Sequence, residues 1–243
     1  MSRQSSPARA GRVPSSRPGA AGSDVAVDPD EAARQARAWL RSRQLLAAAA
    51  RVMERDGTES VSMQALADEA GVSVGLIYRY FGGKDEILLA VIVDVLDAFA
   101  TRVPEAIGAA DPDPVARYAA AFGAYCSVIA EHRHAALLSY RESKNLDEQG
   151  RRRIQQLEVT TSEPLRALLR EGIEAGLFRD VDVDLVAYDA LLMAHGWALK
   201  HWYFERTLRF EDYVERQTSL LLSALLLPRH RRRYAGLLEP ARS

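Results

Sequence analysis

Apolar residues recur every three or four positions along most of this chain, a period that predicts helices. From about Glu31 to Asp56, Leu46, Ala49, Ala50 and Met53 repeat at helical spacing until Asp56-Gly57 ends the run. Leu66, Ala67 and Ala70 mark a short second helix, and Gly71 follows it as a residue able to take positive φ. Ser73 then offers an N-cap for a third helix, in which Val74, Ile77 and Phe81 can face inward. Gly82-Gly83 breaks that helix, and Lys84-Asp85-Glu86 opens a long one striped by Ile87, Leu88, Val91, Ile92, Val95 and Phe99, its acids suited to a helix N-terminus. A turn is expected around Pro104 to Pro114, followed by a helix through Val115, Tyr118, Ala119, Phe122, Cys126 and Ile129. Asp147 to Ala175 reads as a charged amphipathic helix, interrupted at Pro164 with a kink there and closed by Gly176. Val181 to Val186 alternates like a strand, but it is short and has no strand partner, so it is read as the start of a helix that continues through Tyr188 to Glu205. The last strong element runs from about Phe210 to Leu227 and stops at Pro228. Nothing repeats at a fixed period and no βα alternation appears, so the expected fold class is all-α.

Composition narrows this picture. With 243 residues, 48% of them hydrophobic, the chain can bury a real core. Residues 1 to 30 are the exception: rich in Ser, Pro, Gly, Ala and Arg, they are expected to form a disordered arm. Arg3, Arg9, Arg12 and Arg17 precede the first acid, Asp24, so the arm is either a solvated tail or a cationic strap for phosphates or a minor groove. The formal net charge is -1, so any nucleic-acid contact must come from a local patch. Cys126 is the only cysteine, which excludes a disulfide framework and a thiolate-rich metal site and fits a reducing compartment; it is read as a small core hydrophobe. Apolar runs such as Leu220 to Leu227 fall short of the ~20 residues that span a bilayer. No charged-then-apolar leader opens the chain, so a soluble, cytoplasmic protein is expected.

The chemistry concentrates in Ser62 to Glu86, two short helices joined by a tight glycine turn, the outline of a helix-turn-helix. Gly75, Tyr78 and Arg79 are left on the outer face of the second helix, where a Tyr-Arg pair suits a DNA groove. Arg79 has the fork to reach guanine O6 and N7, a contact worth about 1–3 kcal/mol of discrimination, and a side chain at position 75 would hold the helix off the groove. Trp39 to Glu86 carries six basic and seven acidic residues, so affinity is expected to lean on Arg34, Arg37, Arg41 and Arg43. Gly71-Val72-Ser73-Val74-Gly75 also matches the G-x-S-x-G of hydrolases. That motif requires a preceding strand, which ALADEA does not supply, and no other nucleophile–base pair is evident, so no enzymatic activity is expected. His195 and His201 are six apart and fall on different helix faces, and His132 and His134 flank an arginine at a helix end. Neither pair is read as a metal site, and no cofactor is expected.

An Ala-rich helix ending ERDG, then VSMQALADEAGVS, LIYRYF and GKDEILLAV, together resemble the TetR family of bacterial transcriptional regulators across Arg43 to Val91. The resemblance implies a three-helix DNA-binding head over residues 31–86, a larger helical ligand-binding and dimerisation domain over 87–228, and a homodimer built on the last two helices; Arg229, Arg231, Arg232 and Arg233 mark a basic tail over 229–243. Carried over by position, Ser62 caps the second helix and touches a phosphate, Tyr78 and Tyr80 contact backbone or bases, and Lys84 contacts a phosphate. Ser73, Val74, Gly75 and Arg79 complete the expected DNA-binding set. Val74 departs from the polar or basic residue common in the family, and a thymine methyl is its expected contact.

Further along, YRESK at 140–144, AHGWALKHW at 194–202, Tyr213 and Gln217 resemble the family's regulators of fatty-acid and acyl-CoA degradation. That implies a small apolar or acyl-CoA-like effector, with Phe99, Phe122, Tyr125, Leu138, Tyr140, Met193 and Trp197 as candidate lining residues and Arg141 as polar anchor. Leu185, Leu192, Leu221 and Leu225 are the expected dimer contacts. The expected function is repression from a palindromic DNA operator, with release by effector. An activator or architectural DNA binder of the same fold, without effector release, is the alternative.

Overall fold

The computed structural model describes residues 29–58 and 60–239; the expected arm, apart from Pro29 and Asp30, lies outside them. No strand is present among the described residues, only one isolated antiparallel bridge between Phe178 and Leu226. The chain divides into two compact units. One runs up to Asp94 and adds Leu138–Arg151; the other takes Val95–Leu137 and everything from Arg152 on.

In the first unit, α1 (Pro29–Asp56), α2 (Met63–Ala70) and α3 (Val74–Phe81) precede the opening turns of α4 (Lys84–Ala109). Of the predicted inward positions, Leu46, Ala49, Ala50, Met53, Leu66, Ala67, Ile77 and Phe81 are buried, while Ala70 and Val74 are half-buried. Each large apolar side chain removed from water contributes about 1.5–3 kcal/mol. Its unit also holds the end of α6 (Arg133–Glu142), a 3₁₀ turn at Ser143–Asn145 and the start of α7 (Glu148–Glu174).

In the second unit, α5 (Pro114–Glu131) packs on α8 (Val183–Leu199), and α10 (Phe210–Leu225) contacts both. On α8 the small residues Ala187, Ala190 and Ala194, spaced three and four apart, are fully buried, and α5 buries the large rings of Tyr118, Phe122 and Tyr125. Short α9 (His201–Phe204) turns the chain between α8 and α10.

Three expectations change here. The helix expected to end near Pro104 continues to Ala109, and α7 runs through Pro164 as one helix. An internal proline removes one main-chain hydrogen bond and costs about 3 kcal/mol; burial of Val103 beside Pro104, and of Leu165, Leu168 and Leu169 beside Pro164, offsets it. The basic tail expected from residue 229 carries its own structure over the described residues: a 3₁₀ turn, Pro228–Tyr234, leads into α11 (Ala235–Leu238). It is tied down by Leu227 N–H to the Leu177 carbonyl at 3.0 Å and by Arg231 to the Ser223 carbonyl at 2.7 Å. Arg233 and the Tyr234 hydroxyl both donate to Asp113 Oδ2, at 2.8 and 2.7 Å, while Asp113 Oδ1 accepts the N-terminal N–H groups of α5 from Val115 and Ala116.

Candidate DNA-reading surface and effector core

The turn of the helix-turn-helix is specified by local hydrogen bonds. Ser62 Oγ accepts from the Ala65 N–H at 3.1 Å and starts α2. Gly71, at φ 65°, ends it: its N–H reaches the Asp68 carbonyl while Val72 N–H reaches that of Ala67, the paired closure that a left-handed residue permits. Ser73 Oγ accepts from Leu76 N–H at 3.3 Å and starts α3. Each serine oxygen accepts within the fold and keeps its own hydrogen to donate outward.

Burial of Ile77 and Phe81 fixes the rotation of α3. Gly75 and Arg79 are therefore exposed, Tyr78 is 53% exposed, and Val74, Tyr80 and Lys84 are half-buried. Gly75 stands in the first turn of α3 with an ordinary negative φ, and a methyl group added there meets nothing within 4 Å. Neither backbone conformation nor packing within the chain calls for a glycine, although glycine in a helix costs about 0.5–1 kcal/mol relative to alanine. Gly75 leaves the outer face of α3 open at its first turn.

Electrostatics sort the surrounding cations. Arg51 pairs with Glu69 at 3.1 Å, Arg55 with Asp56 at 2.8 Å, and Arg43 with Asp94 at 3.4 Å. Arg43, expected to reinforce DNA affinity, is thus already directed at a carboxylate within its own unit. Arg79 has no acidic partner among the described residues, which leaves its guanidinium fork available.

The expected lining residues fall into two groups. Phe99, Phe122, Tyr125, Met193 and Trp197 belong to the second unit. Phe99 lies 5.0 Å from Tyr125 and 6.4 Å from the His195 ring, and the Tyr125 hydroxyl donates to the Thr161 carbonyl. Trp197 stands 5.2 Å from Tyr213, whose hydroxyl donates to the Met193 carbonyl at 2.5 Å. That hydroxyl passes so close to Gly196 that a Cβ there would lie 2.8 Å from it. Burial pushes the neighbouring Cys126 thiol up to about 12, away from thiolate chemistry. Leu138, Tyr140 and Arg141, by contrast, belong to the first unit, with Leu138 buried and Tyr140 exposed. Arg141 donates to the main-chain carbonyl and side chain of Glu54, at 3.2 and 3.5 Å, so the expected polar anchor instead holds the end of α1.

The dimer candidates divide likewise. Leu185 and Leu192 are 60% and 54% exposed and share a face of α8 with the exposed Tyr188. Leu221 and Leu225 are buried within the chain itself, because α10 turns Thr218, Leu221, Leu222 and Leu225 inward; its outward leucine is Leu220. The sequence reading also missed Arg166, a nearly buried guanidinium on α7 that meets Asp184 at 2.5 Å and lies 5.2 Å over the Tyr188 ring. No periodicity marks such a residue; only the neighbourhood of Ser162 and Thr161 hints at a polar seam. Among the described residues no group of three or more His, Cys, Asp or Glu could hold a metal ion, and no helix is long and apolar enough to cross a membrane.

A capped helix-turn-helix with an outward Gly-Tyr-Arg face, carried with a separate helical unit rich in buried aromatics, defines a two-part transcriptional regulator of the DNA-binding type. The sequence pattern of bacterial regulatory proteins of the tetR family matches residues 45–91, and that of the tetracycline-repressor-like C-terminal domain matches residues 111–225. The transcriptional regulator HbdR of Aromatoleum is 36% identical over 186 residues, covering 76% of this chain and 81% of its own. The transcriptional repressor KstR2 of Mycolicibacterium smegmatis is 30% identical over 168 residues, covering 67% and 79%. The chain belongs to the TetR family of transcriptional regulators. Its fold is shared with FadR of Bacillus subtilis, solved with stearoyl-CoA, at TM-score 0.61 and 22% identity over 75% of this chain and 98% of that one.

Proposed function

We propose that the protein is a homodimeric repressor that places one α3 per subunit in successive major grooves of a palindromic operator, roughly 34–36 Å apart, and is released by a small apolar or acyl-CoA-like effector. The observation that carries the DNA half is Gly75, which no internal contact requires and which stands beside Tyr78 and Arg79 on the exposed face of α3. In this reading Arg79 reads a guanine, Tyr78 and Tyr80 contact backbone or bases, Val74 meets a thymine methyl, and Ser62, Ser73 and Lys84 fix register through phosphates. The effector half is supported by the buried aromatic group Phe99, Phe122, Tyr125 and Trp197 with Met193, and by the stearoyl-CoA named for FadR. The repressor sense is supported by KstR2. An effector acts by binding better to a dimer whose heads are spaced wrongly for DNA.

The test is a mobility-shift assay on the protein's own upstream DNA, repeated across a panel of acyl-CoA thioesters. Arg79→Ala is expected to lose about 5- to 100-fold on specific DNA and far less on random DNA; equal losses on both remove its base-reading role. Lys84→Ala is expected to weaken both and flatten the salt dependence by about one unit. A shift that no thioester abolishes favours the activator or architectural reading.

A further inference from the structure

Tyr118, Tyr125 and Tyr213 are among the largest fully buried side chains, and all three lie in the second unit. Two of their hydroxyls are satisfied by main-chain carbonyls: Tyr125 donates to Thr161, and Tyr213 to Met193. The Tyr118 hydroxyl is enclosed as completely, yet it has no hydrogen-bond partner among the described residues. Buried hydroxyls in native folds are nearly always paired, because an unpaired one gives up its hydration for nothing in return. Phe178 meets the Tyr118 ring edge-on at 5.8 Å, a contact that packs the ring and offers the hydroxyl no oxygen or nitrogen.

The place of Tyr118 in the fold joins this orphan to the aromatic core. Val115, Tyr118, Phe122, Tyr125 and Ile129 recur three and four apart on one fully buried face of α5. Tyr118 is therefore one turn from Phe122 and about 10 Å along the helix from Tyr125, which packs on Phe99 at 5.0 Å. Burial pushes the Tyr118 phenol up from its ordinary value, so the group keeps its proton at neutral pH and is a donor. A neutral donor in apolar surroundings matches an uncharged acceptor, since a buried anion needs a cation or several donors. Arg117, the adjacent cation, is already directed at Glu171, 2.7 Å away.

We propose that Tyr118 is a specificity-determining residue of the effector site, its hydroxyl donating to an uncharged carbonyl oxygen of a bound acyl thioester. The inference rests on the effector-responsive reading and narrows it. The oxygen is either that of the thioester itself or that of an oxo group on the acyl chain. Tyr125 and Tyr213 cannot serve in this way, because their hydroxyls hold α5 to α7 and α10 to α8. A chain that brings no oxygen to this point leaves the donor unpaired, so the site discriminates against it.

The experiment is isothermal titration of the full chain, wild type and Tyr118→Phe, without DNA. The ligands are octanoyl-CoA, its thioether analogue octyl-CoA, and an octanoyl-CoA with a ketone near the chain's end. Wild type is expected to favour a carbonyl-bearing ligand over octyl-CoA by about fivefold or more. Tyr118→Phe is expected to erase that preference while binding octyl-CoA as well as wild type does. A loss with both carbonyl ligands assigns the thioester oxygen, and a loss with the ketone alone assigns an oxygen on the chain. Losses below twofold throughout, or an equal loss for octyl-CoA, overturn the role of Tyr118 and leave the effector reading in place. Failure of wild type to bind any of the three overturns the acyl-CoA reading and this assignment with it. Thermal melts of the ligand-free proteins give a second readout, in which deleting an unpaired hydroxyl leaves the melting temperature equal or higher. A Tyr118→Phe protein that melts below wild type shows a hydroxyl already satisfied in the free fold and overturns the proposal.

Discussion

Arg141 donates a hydrogen bond to the main-chain carbonyl of Glu54 across 87 residues of sequence, at the last turn of α1. Cations are favoured there, where helix carbonyls lack partners. Arg141→Ala is expected to lower stability by about 1 kcal/mol, a charged but largely exposed contact, as measured by urea denaturation. The same variant is expected to bind an acyl-CoA within twofold of wild type; a tenfold loss would restore Arg141 as the effector's anchor.

Gly75→Ala separates stability from DNA binding. With open space around the new methyl, the helix gains about 0.5–1 kcal/mol and the melting temperature rises. Operator affinity is expected to fall at the same time. A variant that binds DNA as well as wild type would end the close-approach reading of this position.

Gly172 is required for a reason inside the fold. A Cβ there would lie 2.1 Å from the Phe178 ring, whose backbone N–H is held by the Gly172 carbonyl at 3.0 Å. Gly172→Ala is expected to cost about 1–3 kcal/mol through overpacking, and Gly172→Ala with Phe178→Leu less, as thermal denaturation would reveal.

Acid sensitivity follows from His195. Burial is the principal cause that holds its imidazole below the ordinary 6.5, against a hydrogen bond with the Leu191 carbonyl. The folded state therefore binds fewer protons than the unfolded one below that value. Stability is fully present above about 6.5 and is lost as pH falls toward the depressed folded value. Thermal melts between pH 7.5 and 5 are expected to show this decline, with a shallower slope in His195→Gln.

Leu192→Glu places a charge on the exposed α8 stripe. Equilibrium sedimentation is expected to show a monomer of unchanged helix content, because the wild-type side chain is not part of the chain's own core. Leu221→Glu buries an unpaired charge and is expected to unfold the second unit instead. A Leu192→Glu dimer with wild-type affinity would move the interface elsewhere.

Local chemistry was readable from sequence. Ser62, Gly71 and Ser73 act on groups within about one helical turn, so their roles follow from residue type and spacing. Periodicity placed Ile77 and Phe81 inside for the same reason. It failed by one residue on α10, where Leu220, Leu221 and Leu222 are consecutive and only packing shows which face turns outward. Prolines 104 and 164 were read by local rule, while burial of their neighbours decided the outcome. Arg141 and Arg166 took their roles from partners that no sequence window contains.

Asp113 uses one oxygen to begin α5 and the other to receive Arg233 and Tyr234. A single carboxylate thus ties the Pro228–Tyr234 segment to the start of the core helix, since both contacts need the loop before Pro114 in place. Trimming the chain at Pro228, or appending a bulky fusion there, would be felt at the start of α5 as well as at the chain's end.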